Sequence, residues 1–221
     1  MAGKQRRSNL LALATLSTLS QRPMHRYEMA SIMRARGKEQ DLAVKFASLY
    51  TVVQSLEKQG LVETIGTSRD GARPERTVYR ITAAGRDEFM QWTRELLADP
   101  RPEATRFVAG LSVLGGLPPG EVIEALQTRS QRLQESIKTR RAALAEHKTQ
   151  VPALFLLEDE FGISMLEAEV TWVQNLLKEL TSAKFPGLDQ WQNWHDTGQL
   201  PAELAELAER GSERSTDADQ Q

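Results

Sequence analysis

Residues 48–58 carry polar side chains whose chemistry and spacing suit contacts with the edges of DNA bases. Five of them recur on one face of a helix: Ser48, Thr51, Gln54, Ser55 and Lys58. Hydroxyl and amide groups hydrogen-bond base edges, and a lysine supplies a cation for phosphate. The opposite face is apolar and would meet a core through Leu49, Val52, Val53 and Leu56. Taken alone, this pattern is better explained by an ordinary amphipathic helix, so the assignment depends on its neighbours.

Basic residues also occur in the segment that follows. Residues 61–67 and 76–82 are rich in β-branched side chains, and residues 68–74 between them are mostly turn formers. This pattern predicts a β-hairpin with a basic tip. Arg69, Arg73 and Arg76 would lie along that tip, where they can bind phosphate or a narrow minor groove. Lys45 and Tyr50, which precede the hairpin, add a further cation and a hydroxyl for phosphate, although Tyr50 can instead pack against the core.

The formal charge is sorted along the chain, although its total is only −2. Residues 1–86 contain 15 basic and 7 acidic side chains, whereas the remainder contains 13 and 23. A basic half joined to an acidic half favours a polyanion as the partner of the first half. The alternative is chance segregation of charge onto two solvated faces.

The elements around these residues occur in a recognisable order. Helices are expected over residues 8–20, 25–36 and 47–59, before the hairpin, and a further helix from Thr82 is broken by residues 99–102. Three short helices and a hairpin are the order of a winged helix-turn-helix, in which the third helix enters the major groove. The residues therefore predict DNA binding by the helix over 47–59.

The C-terminal half is predicted to be all helical, with helices over about residues 103–114, 119–148 and 158–180. The last of these has two apolar stripes. The first stripe alternates by four and three residues, as in a coiled-coil contact, and comprises Leu166, Val170, Val173, Leu177 and Leu180. The second stripe comprises Phe161, Met165, Trp172 and Leu176. A hairpin of two helices covers only one stripe, so we expect a homodimer with the first stripe as its interface. Packing onto the N-terminal domain is the alternative.

The sequence therefore predicts a mainly α fold with a small β-hairpin wing. We expect a winged helix-turn-helix domain over residues 1–98, a helical dimerisation domain over 103–183, and a partly disordered tail over 184–221. No apolar run is long enough to span a membrane, so a cytoplasmic location without a membrane partner is expected.

Other chemistry finds little support in the residues. The chain has no cysteine, its three histidines are scattered, and no phosphate-loop or nucleophile motif occurs, so we expect no enzyme activity, metal or cofactor. Trp92, Phe161 and Trp172 are candidates for stacking against a small-molecule effector. An aromatic side chain on an apolar stripe is more often plain core, which is the alternative for all three.

Several motifs, in order over about residues 10–98, resemble the PadR family of bacterial transcription regulators. They are LAL at 11–13, PMHRYEM at 23–29, SLY at 48–50, LEKQGLV at 56–62 and RPERTVYRITAAG at 73–85. The resemblance implies a dimeric regulator, usually a repressor, that binds a palindromic operator in double-stranded DNA. It also implies dimerisation through the C-terminal helices and release of DNA by a small molecule.

This sequence departs from the family's pattern in two places. Arg26 stands where the family often has glycine, and we expect this extra cation to contact phosphate. Ala72 and Glu75 alter the wing, where the family often has Gly-Arg-Pro and then a basic residue, and wing contacts should be weaker or differently placed.

A winged-helix module that binds proteins and reads no DNA sequence is the alternative function.

Overall fold

The computed structural model describes residues 9–35, 48–68, 76–100, 105–202 and Glu206. The chain divides into two units, Met1–Pro102 and Glu103–Gln221. The described residues are mostly helical, with one small antiparallel sheet, so the predicted fold class is confirmed.

The N-terminal unit packs its helices around one apolar core. In the described residues these helices are α1 (Leu10–Leu19), α2 (Arg26–Ala35), α3 (Leu49–Lys58) and α4 (Ala83–Ala98). Asn9 begins α1 by accepting a hydrogen bond from the backbone N–H of Leu11, at 3.1 Å. Within α1, the buried hydroxyls of Thr15 and Thr18 donate to backbone carbonyls one turn earlier, so they enter the core without an unmet hydrogen bond.

The sheet of this unit has three antiparallel strands: β1 (Met24–His25), β2 (Val62–Ser68) and β3 (Arg76–Ile81), in the order β1-β3-β2. The expected hairpin is β2 and β3, with Val62 paired to Ile81 at its base. Sequence reasoning did not find β1, because two residues after a proline are too few to display alternation. This strand joins the beginning of α2 to the hairpin, since Met24 pairs with Tyr79.

The C-terminal unit is an antiparallel helical hairpin with shorter elements on it. The long helices are α6 (Pro119–His147) and α7 (Leu157–Thr181), and α5 (Arg106–Ser112) precedes them. Short 3-10 turns cover Leu114–Gly116 and Ala153–Phe155. Ion pairs join the two long helices: Arg129 Nε lies 2.6 Å from Glu169 Oε1, and Arg141 and Lys148 pair with Glu167 and Glu160. These pairs fix the register of α6 against α7.

Three of the five residues of the first stripe of α7 are buried within the single chain. Val173 and Leu180 are 0% and 3% exposed within the single chain, and they pack with Val122 and Leu126 of α6. Val170 is also buried, and Leu166 and Leu177 are partly buried. Val173 and Leu180 therefore belong to the contact between α6 and α7, and the buried residues of the stripe have little surface left for a second subunit. Of the interface predicted at Leu166, Val170, Val173, Leu177 and Leu180, the three buried residues are thus covered within the chain, while contact with a second subunit at Leu166 and Leu177 stays a prediction.

Part of the expected tail belongs to the C-terminal core. Residues Leu188–Thr197 form a helix, α8, in which Trp191 is buried and donates its indole N–H to the Leu117 carbonyl at 2.9 Å. His195 Nε2 lies 2.9 Å from the Gly115 carbonyl. The two contacts hold α8 against the connection between α5 and α6. Residues 207–221 lie outside the described residues.

Candidate nucleic-acid interface

The exposed face of α3 is the candidate interface. Leu49, Val52, Val53 and Leu56 are buried in the N-terminal core together with Leu16 and Met29, and this packing turns the opposite face outward. All five polar residues predicted for contact with bases and phosphate are exposed there: Ser48, Thr51, Gln54, Ser55 and Lys58. Ser48 precedes the helix and makes no capping bond with its side chain. The helix thus presents hydroxyl, amide and ammonium groups over three turns.

Two hydrogen bonds organise this face. Gln54 Nε2 donates to Tyr50 Oη at 2.8 Å, one turn earlier on α3. Gln59 Nε2 donates to Ser55 Oγ at 2.9 Å, in the same relation. Gln59 was not among the predicted site residues, because its place as the last residue of the predicted helix suggested only a helix end. The bonds leave each of Gln54 and Ser55 with further capacity for a base edge.

Arg26 brings a cation from α2 to the same face. Its guanidinium carbon lies 4.0 Å from the centre of the Tyr50 ring and 5.7 Å from that of Tyr79 on β3. Within the described part of the chain, the ion pairs involve other arginines, and Arg26 has none. The beginning of α2 is held by His25, whose Nδ1 accepts the backbone N–H of Glu28 at 3.1 Å. Arg26 is therefore stacked on Tyr50, the residue whose hydroxyl accepts the hydrogen bond from Gln54.

The wing is described only at its base. Glu63 and Arg80 form a cross-strand ion pair at 2.8 Å, and Thr64 donates to Glu57 Oε1 at 2.6 Å, which ties β2 to α3. Three predicted DNA contacts, Lys45, Arg69 and Arg73, lie outside the described residues, and so does the side chain of Arg76. The base of the wing is thus fixed against α3, while the wing arginines stay predictions.

An ion pair between Arg22 and Glu28, near the beginning of α2, changes the pKa of the Glu28 carboxyl group. Arg22 donates to Glu28, and this hydrogen bond lowers the pKa of Glu28 from its ordinary value of 4.5, with a smaller opposing effect of burial. The same contact raises the pKa of Arg22. A carboxyl whose pKa is lower in the folded state stabilises the fold above its unfolded pKa, and this stability is lost as the pH falls through the folded value.

We expect Glu28→Gln to make the melting temperature less sensitive to acid below about pH 4.5, because the substitution removes the shifted carboxyl. Thermal melts across acidic pH measure this. Asp87→Asn, at an exposed carboxylate of α4, is the control and should keep the steeper acid dependence of the unmodified protein. Equal acid dependence in Glu28→Gln and the unmodified protein would contradict the expectation.

The three aromatic effector candidates do not share one environment. Trp92 is 3% exposed within the core of the N-terminal unit, which matches the plain-core alternative. Phe161 and Trp172 are 67% and 48% exposed. They lie on the outer face of α7, by which we mean the exposed side that carries Leu157, Phe161, Met165 and Trp172. Trp172 packs edge-on against Phe107 of α5, with ring centres 5.9 Å apart.

A groove in the C-terminal unit was not found from the sequence. It has a volume of about 560 Å³ and is lined mainly by apolar side chains of α5, α6 and the turn between them, including Phe107, Leu111, Leu114, Val122 and Leu126. Arg129 and Arg132 also line it, and the Arg129 guanidinium lies 3.8 Å from the centre of the Phe107 ring. Its residues come from separate elements, so sequence periodicity could not have indicated it.

Among the described residues, no group of histidine and carboxylate side chains could hold a metal ion. No described helix is long and apolar enough to cross a membrane.

The core-packed α3 with its exposed polar face, followed by the β2–β3 hairpin and α4, defines a winged helix-turn-helix protein. Residues 15–91, which span α1 to the middle of α4, match the model of the transcriptional regulator PadR-like family. This segment of the N-terminal unit is therefore similar to the transcriptional regulator PadR-like family.

Solved structures of similar fold extend beyond that segment. The structure of Bacillus subtilis PadR in complex with operator DNA has a TM-score of 0.63 and 16% identity, and covers 78% of this chain and 99% of its own. The PadR-like transcriptional regulator BC1756 from Bacillus cereus has a TM-score of 0.54, 16% identity and the same coverage. At these identities the likeness concerns the fold. No curated protein matches the sequence.

Proposed function

We propose that this protein is a homodimeric transcriptional repressor that binds a palindromic operator with α3 in the major groove. The observation that carries the proposal is the division of α3 into a buried apolar face and an exposed face of hydroxyl, amide and ammonium groups. The basic balance of residues 1–86 supports a polyanion as the partner. The operator complex of Bacillus subtilis PadR, which has a similar fold, is further support.

The site residues divide by the chemistry each offers. Ser48, Thr51, Gln54 and Ser55 present short polar groups that suit base edges. Arg26, Tyr50 and Lys58 suit phosphate, as do the predicted contacts Lys45, Arg69, Arg73 and Arg76. Phosphate contacts supply most of the affinity and make it dependent on salt, whereas the base contacts supply sequence preference.

Dimerisation in this proposal uses the outer face of α7. Leu157, Phe161, Met165 and Trp172 recur there at helical spacing, and each is about half exposed or more. An exposed apolar stripe of this length on a helix is typical of a protein contact. In a symmetric dimer the two α3 helices would lie about 34–36 Å apart and read successive major grooves.

A small-molecule effector that releases the DNA or otherwise modulates its binding is also part of the proposal. Phe161 and Trp172 stay candidates for contacting it, whereas the burial of Trp92 favours a structural role. The volume of the groove beside Phe107 lies within the usual range for ligand sites, about 300–1,000 Å³. An effector acts by binding one dimer geometry better than another, which changes the spacing of the two α3 helices.

Selection from random DNA duplexes, followed by titration of the recovered site at two salt concentrations, tests the function. We expect a recovered palindrome, bound about a thousand-fold or more tighter than random DNA, with affinity that falls steeply as salt rises. Weak binding without sequence preference would contradict the proposal. It would favour the alternative, a winged-helix module for a protein partner.

Gln54→Ala and Lys58→Ala should separate base contact from phosphate contact. We expect Gln54→Ala to cost about 1–3 kcal/mol on the selected operator and little on random DNA, because it removes a bond to a base. Lys58→Ala should weaken both DNAs alike. Equilibrium titrations of both variants on both DNAs measure this, and equal losses everywhere would contradict base reading by Gln54.

A further inference from the structure

We infer that Arg26 is a positioning residue for base selectivity: through Tyr50 it holds the amide of Gln54 in the orientation that reads a base. This inference rests on the proposed function and goes beyond it, since Arg26 stands there only as a phosphate contact. The contacts form a chain, in which the Arg26 guanidinium lies 4.0 Å from the Tyr50 ring centre and the Tyr50 hydroxyl lies 2.8 Å from Gln54 Nε2.

Arg26 is well placed to hold the Tyr50 ring. Tyr50 is 53% exposed, so the protein core alone does not fix its side chain. Arg26 is half-buried at the beginning of α2, and its guanidinium also lies 5.7 Å from the ring centre of Tyr79, which is buried on β3. A cation over an aromatic face at an exposed site changes a conformational equilibrium about two- to five-fold.

The Tyr50 hydroxyl in turn fixes the plane of the Gln54 amide. An amide group has two N–H donors and an oxygen that accepts two bonds, and one of these positions is used by the hydroxyl. Because Nε2 donates one N–H to Tyr50, the amide keeps its second N–H and its oxygen for a base. That pair matches N7 and the N6 amino group of adenine, so adenine is the base we assign to Gln54.

This role differs measurably from a phosphate contact. An arginine that only binds phosphate changes affinity for all DNA sequences by the same factor. An arginine that orients Gln54 changes the preference at one base pair and leaves the preference at other positions in place. Loss of preference confined to the base pair that Gln54 reads is therefore the distinguishing result.

The experiment compares binding to the selected operator and its single-base variants. Arg26→Met should lower the preference about two- to five-fold at the same base pair at which Gln54→Ala removes it. Tyr50→Phe, which removes the hydrogen bond to Gln54, should lower the preference there about two- to ten-fold. Arg26→Lys should retain part of the preference, because it keeps a cation over the ring. Lys58→Met is the matched control and should lower affinity for every duplex equally. Uniform loss in Arg26→Met, or a change at another base pair, would overturn the inference.

A second readout needs no DNA. The side-chain amide of Gln54 in the free protein should shift in its nitrogen–proton NMR spectrum in Tyr50→Phe and in Arg26→Met, and stay unchanged in Lys58→Met. Unchanged Gln54 signals in Arg26→Met would overturn the inference even if the protein binds its operator. A different result would overturn the proposed function instead. In that result the Gln54 signals shift in both variants, but the unmodified protein binds DNA without sequence preference, so there is no base selectivity for Arg26 to support. Thermal melts establish that each variant is folded.

Discussion

Replacing Gly85 by alanine is expected to destabilise the N-terminal unit by about 3 kcal/mol, the upper part of the usual cost of overpacking. A Cβ atom there would lie 2.0 Å from the Leu61 carbonyl oxygen and 2.8 Å from Ile81 Cγ1. The oxygen cannot move away freely, because it accepts the backbone N–H of Thr82 at 3.1 Å. Such a loss should lower the melting temperature of this unit by at least about 12 °C.

The effect should be steric and local to the contact between α4 and the beginning of β2. Gly120→Ala makes the same chemical change in α6, where a Cβ meets nothing within 4 Å, so it should leave stability unchanged or raise it slightly. Ala84→Gly, at the exposed neighbouring position, should cost only about 1 kcal/mol through helix propensity. A Gly85→Ala protein that melts like these controls would contradict the close packing of α4 on Leu61.

The N-terminal unit could be predicted well from the sequence because its patterns are local. Leu49, Val52, Val53 and Leu56 recur at helical spacing, so the buried face of α3 follows directly from the residues. The hairpin follows from alternation and turn formers. The missed features are long-range: β1 forms only because β3 pairs with it, and Arg26 reaches Tyr50 from another helix.

The packing of the C-terminal unit was harder to predict from the sequence because its helix α7 has more than one apolar stripe. Heptad-like spacing identifies a stripe that packs against another helix, but it does not identify whether that helix belongs to the same chain. Val173 and Leu180 meet α6 of their own chain, and the ion pairs from Arg129 and Arg141 to α7 hold that contact in register. The groove beside Phe107 likewise depends on how α5 packs against α6, which no local pattern encodes.

Introducing a carboxylate into each apolar stripe of α7 should have different consequences. In the first stripe it should unfold the C-terminal unit, and in the second stripe it should break the proposed dimer. Val173→Asp places a carboxylate at a position that is 0% exposed between α6 and α7. An unpaired buried charge costs about 3–5 kcal/mol, so the C-terminal unit should lose its cooperative melting transition. Circular dichroism melts measure this. Gln174→Asp, at an exposed neighbouring position, should melt like the unmodified protein.

Phe161→Asp should leave each protomer folded, because this side chain is 67% exposed, but it should break the proposed dimer. Two linked operator half-sites gain about 10²–10⁴-fold in affinity from simultaneous binding, so operator affinity should fall at least about a hundred-fold. Light scattering and DNA titration on the folded variant measure both effects. A dimeric Phe161→Asp protein would exclude the outer face as the interface. A folded, monomeric Val173→Asp protein would instead place the interface at the first stripe, because a residue of the chain's own core cannot be charged without loss of the fold.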